Sequence, residues 1–124
     1  MTAMAQVEVL RAACCIAGAD GTVDENERAF VDGLAERVGV GKASLDAMVL
    51  RAETEPEFFK QQFKVLKSNP KATMGTLFQA AASSGKLESK EIDMLQAFAV
   101  RLGMDGDGFR EVATPVIEAL KKSQ

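Results

Sequence analysis

Nine residues, Ala19 to Glu27 (ADGTVDENE), separate two apolar-periodic segments and leave the backbone few options at that point. Gly21 suits a sharp turn, because a residue without a Cβ takes φ > 0 at little steric cost. Val23 is the one large apolar side chain of the turn and is expected to pin it to a core. Asp24 followed three residues later by Glu27 is a capping-box pattern. The Asp24 side chain accepts from the N3 amide while Glu27 reaches back to the cap amide. The stretch reads as helix, acidic turn, helix.

The flanking segments extend this pattern to an all-α chain. Met4, Val7, Leu10, Cys14 and Ala17 recur at spacings of three and four, with Val9, Ala13 and Ile16 beside them. A helix apolar over so much of its circumference belongs at the centre of a bundle. The periodicity predicts helices near 4–18, 25–38, 42–52, 56–67, 70–83, 89–102 and 107–121, about seven in all. Gly39 is expected to end the second in the left-handed conformation. Thr54-Glu55-Pro56-Glu57 reads as a second capping box, opening a helix with Phe58, Phe59 and Phe63 on its packing face. Lys60, Lys64 and Lys67 give that helix a solvated basic face, and Asn69 is placed to cap the next one. Pro115 should kink or restart the last helix at Thr114. One core is predicted to take in Phe30, Leu34, Phe63, Leu77, Phe98 and Phe109.

The chain also repeats itself. An offset of about 64 residues puts Gly21 on Gly85, Val23 on Leu87, Asp24 on Glu88, Glu27 on Glu91, Leu34 on Phe98 and Gly39 on Gly103. The expected architecture is one domain over residues 1–124. In it, two pseudo-symmetric three-helix halves (about 10–52 and 74–116) are joined by the Phe-rich central helix. Asp20 aligns with Ser84, so the second turn lacks the acid that precedes glycine in the first.

Composition excludes several functions. With no histidine, imidazole-based acid–base catalysis and Ser–His or Cys–His nucleophiles are absent. Cys14 and Cys15 are adjacent, without metal-ligand spacing, and read as small buried residues. A net charge of −3 with no clustered basic face argues against nucleic acid. The N-terminal stretch does not resemble a signal peptide and no run spans a bilayer, so a cytoplasmic protein is expected.

The chemistry to be weighed is in the acidic turn. Asp20 to Glu27 matches the second half of an EF-hand loop, but the two preceding ligand positions hold Gly18 and Ile16, so a standard EF-hand is rejected. A looser divalent site, Ca²⁺ or Mg²⁺ held by Asp20, Asp24 and Glu27, survives that test. Against it stands the plainer reading that Asp24 and Glu27 only cap a helix. Paired carboxylates such as Asp24 and Glu27 do acid–base work only when one is desolvated and the other is not. The turn reads as exposed, so a carboxylate-based enzyme is the minor alternative.

Helix, then Ala-Asp-Gly-x-Val-x-x-x-Glu, then a helix ending in glycine, resembles the TerB tellurite-resistance family. The matching residues are Ala19, Asp20, Gly21, Val23 and Glu27, with Asp24 an additional acidic position. A similar domain forms the N-terminus of a membrane-anchored DnaJ-type co-chaperone, whose His-Pro-Asp motif this histidine-free chain lacks. The resemblance covers most of the chain and implies an internally duplicated helical domain with an acidic, cation-binding surface. It also implies a non-enzymatic role in tellurite or other stress responses, through protein partners in complexes near an inner membrane. A structural or oligomerisation subunit without a metal site is the alternative.

Overall fold

The computed structural model describes residues 3–19, 21–55, 57–58 and 70–122. Among these, six helices and no strands are present: α1 (Ala3–Ala17), α2 (Glu25–Val38), α3 (Lys42–Thr54), α4 (Pro70–Ala82), α5 (Ser89–Arg101) and α6 (Gly106–Lys122). The seventh predicted helix, 56–67, falls almost wholly outside the described residues, as do Asn69, Phe59, Phe63, Lys60, Lys64 and Lys67.

Helix α1 sits at the centre because it has no polar side to give to solvent over its second half. Every residue from Ala12 to Ala17 is buried, together with Val9 and Leu10. It packs on α2, α3, α4 and α5. Its principal neighbour, α4, buries Thr73, Met74, Leu77, Phe78, Ala80 and Ala81. Small side chains on α1 (Ala13, Cys14, Ala17) let helices approach from several directions, and the larger Leu77 and Phe78 fill the space. The Cys14 and Cys15 thiols lie inside this core, and burial pushes each pKa up to about 12.

The local signals act where they occur. Gly39 ends α2 at φ 80°, and the Val40 N–H donates to the Ala35 carbonyl at 2.9 Å. Positive φ recurs at Gly21 (95°) and Gly85 (93°), and at Gly39 (80°) and Gly103 (78°), each pair 64 residues apart. Leu34, Leu77 and Phe98 are in the core, whereas Phe30 and Phe109 are half-buried against it. The Phe109 ring lies 5.3 Å from that of Phe78, tying α6 to α4.

Two expectations fail. Thr54 does not open a helix; it is the last residue of α3, and its hydroxyl donates to the Leu50 carbonyl at 2.7 Å. A threonine hydroxyl satisfies itself on the carbonyl four residues back as readily as on a following amide. Of the kink or restart expected at Pro115, the restart fails, since α6 runs through Thr114 and Pro115 to Lys122. Pro115 is exposed on the outer side of α6, where a helix tolerates the loss of one hydrogen bond best.

Candidate functional site

The acidic turn forms by the capping chemistry its sequence encodes. Asp24, in extended conformation, is the N-cap of α2. Its Oδ1 accepts from the Glu27 N–H at 2.7 Å, and Glu27 Oε1 accepts from the Asp24 N–H at 3.1 Å. One residue earlier, the Val23 N–H donates to Glu53 Oε2 at 3.0 Å. Glu53 comes from α3, so a carboxylate from a second element braces the turn. No local pattern links residues 30 apart, and the sequence reading missed it.

The turn is not uniformly exposed. Thr22, Asp24 and Glu25 face water, but Glu27 is only 5% exposed. Its counterpart at the start of α5, Glu91, is 2% exposed and is held in the same way, with Oε1 accepting from the Glu88 N–H at 3.0 Å. The two carboxyl groups approach each other inside the protein, close enough for Glu91 to act on the Glu27 carboxyl. Burial pushes the Glu27 pKa up to about 8; the Asp24 backbone bond opposes this, while the charges of Asp24 and Glu91 reinforce it. The other oxygen of Glu91, Oε2, is also shut off from solvent.

Of the three predicted ligands, then, Asp24 and Glu27 are neighbours committed to one capping box, and Asp20 lies outside the described residues. Among the described residues no three His, Cys, Asp or Glu side chains converge as a metal-holding group. What the structure adds is Glu91, visible in the sequence only as the repeat partner of Glu27. Elsewhere on α2, Arg28 bonds Asp32 at 3.0 Å and also reaches Asp46 of α3, which fixes the outer faces of these helices together.

Comparison of the chain with protein-family models, with curated proteins and with solved structures finds no match in any of the three. Among the described residues, no helix is long and apolar enough to cross a membrane.

Proposed function

We propose that this chain is a non-enzymatic, TerB-like binding module of two related halves, which presents its first acidic turn to a divalent cation, a protein partner, or both. The meeting of Glu27 with Glu91 carries this reading. Two carboxyl groups pressed together in a desolvated place hold a proton near neutral pH, and a hard cation competes for the same position. Ca²⁺ or Mg²⁺ suits an all-oxygen set. Asp24 supplies a further carboxylate from the exposed side, and Asp20 is close by in the sequence, with water completing the shell. Such a module fits a cytoplasmic stress response, tellurite included, exerted through protein complexes associated peripherally with an inner membrane.

Because the cation displaces a proton, binding should release one and tighten as pH rises. Calorimetric titration with Ca²⁺ and Mg²⁺ at about pH 6 and about pH 8 tests this. Weak binding that strengthens at the higher pH is expected. If neither cation binds at either pH, the capping role suffices, and the chain is a structural or oligomerisation subunit without a metal site.

One observation favours a second reading. Asp24 is exposed while Glu27 is buried, with its pKa pushed up by that burial, the division of environments that carboxylate catalysis uses. Each glutamate, however, has one oxygen bound to its own helix cap. Hydrolytic turnover lost in Glu27→Gln would bring the enzyme forward.

A further inference from the structure

The last helix is only half used by its own domain. Phe109, Val112, Ala113, Val116, Ile117 and Leu120 fall on one stripe, at i, i+3, i+4, i+7, i+8 and i+11. Of these only Ala113 is buried, and Ile117 keeps 39% of its surface in water. One glycine differs between the corresponding helix pairs. The offset of 64 places Gly18 on Ala82 and Ala52 on Val116. At the first pair the end of α1 and α3 close tightly, and a Cβ added to Gly18 would stand 3.1 Å from the Ala52 carbonyl carbon. At the second pair Ala82 carries that Cβ and Val116 is larger than alanine.

Ala82 and Val116 instead line an open groove of about 490 Å³, with Phe30 of α2, Gln79 of α4, and Pro115 and Leu120 of α6. Leu120 also borders a hollow of about 320 Å³ whose walls include Leu87, Ile92 and Ile117. Sharing Leu120, the two form one apolar trough along the outer end of α6. Its only charged lining residues are Lys86 and Lys121, and Lys122 follows in the last turn. Lys86 also bridges to Glu88 at 3.0 Å, so Lys121 and Lys122 dominate the local field. In a chain of net charge −3, this basic lip is a local exception.

We infer that this trough docks an amphipathic helix of a partner protein, its apolar side chains seated along α6 and its acidic residues set against Lys86 and Lys121. Pro115 to Lys121 covers about two helical turns, the length over which anchors at i, i+3, i+4 and i+7 seat in a groove. Three lysines beside a greasy channel are too few to track a phosphate backbone. A bilayer surface calls for a protruding apolar face, and this one is concave. The surface is separate from the acidic turn, since none of Asp24, Glu27 and Glu91 lines it.

Fluorescence anisotropy with three labelled peptides of about 15 residues tests the inference, a length at which helices begin to form alone. The first carries leucine anchors with glutamate flanks, the second the same anchors with lysine flanks, and the third serine in place of leucine. The acidic peptide should bind about tenfold more tightly than the basic one, with the difference shrinking at high salt. The serine peptide should not bind. Ala119→Glu, at an exposed groove position, should abolish binding while the melting temperature holds. Lys121→Glu should invert the preference between the charged peptides. Equal binding of the two charged peptides, or no binding of either, overturns the inference. So does a concentration-dependent dimer in sedimentation that Ala119→Glu dissolves, which would give the trough to a second copy.

Discussion

Glu27 and Glu91, 64 residues apart in the chain, bring their carboxyl groups together inside the protein while each caps the helix it begins. Each helix start supplies one local motif, and their approach makes a group that neither motif contains. Their approach ties the N-terminus of α2 to that of α5.

That pair predicts an unusual pH profile. Glu27 ordinarily titrates near 4.5 and in the folded chain near 8, so between these values the folded state holds a proton that the unfolded state has lost. Stability therefore falls as pH rises through this window, by at most about 1.4 kcal/mol per pH unit for one proton. With no histidine, and with both thiols pushed to about 12, little besides the α-amino group competes there. Denaturant unfolding from about pH 5.5 to about pH 8 should show the decline. Glu91→Gln should flatten it and be the more stable protein at the alkaline end. A wild-type profile that rises with pH would remove the Glu27 proton.

Gly18 and Gly33 should respond oppositely to alanine. At Gly18 the new methyl presses on the Ala52 backbone, and overpacking of that kind costs roughly 1–3 kcal/mol. At Gly33, inside α2 with nothing within 4 Å, the same change should stabilise by about 0.5–1 kcal/mol. Urea midpoints of the two variants decide this, and a neutral Gly18→Ala would mean that α1 and α3 are not in close contact.

Leu34→Ala should cost roughly 2–5 kcal/mol, the range for truncating a buried leucine. Leu34 is 8% exposed and joins the main core from α2. A loss below about half a kcal/mol would show that this face of α2 is not packed.

Asp20 and Glu88 separate the cation site from the caps. At a hundredfold excess over Kd a bound cation adds about 2.7 kcal/mol of stability. Asp20→Asn should lose most of the resulting thermal shift. Glu88→Gln should keep it, because Ser84 leaves the second turn without its acid. Equal losses in both variants would point to general screening of negative charge.

Much of the fold was legible because its signals act over three or four residues. The predicted start and end of α2 match the observed helix, with Asp24 and Gly39 at its two ends. Thr54 shows the limit of such signals. Thr-x-x-Glu describes a helix start, but the hydroxyl also bonds a carbonyl behind it, and only the packed end of α3 selects between them. Pro115 shows the same limit, since the local sequence allows a kink or a restart and the helix continues through it.

By itself the sequence determined the helices, their caps, the glycine turns and the acidic character of the first turn, because each depends on neighbours a few bonds away. Only the tertiary structure decided which carboxylate of that turn faces water. Asp24 and Glu27 look alike in the chain, yet one is exposed and the other is sealed against Glu91. Desolvation is a property of what packs overhead. The residue overhead of Glu27 belongs to the other end of the chain.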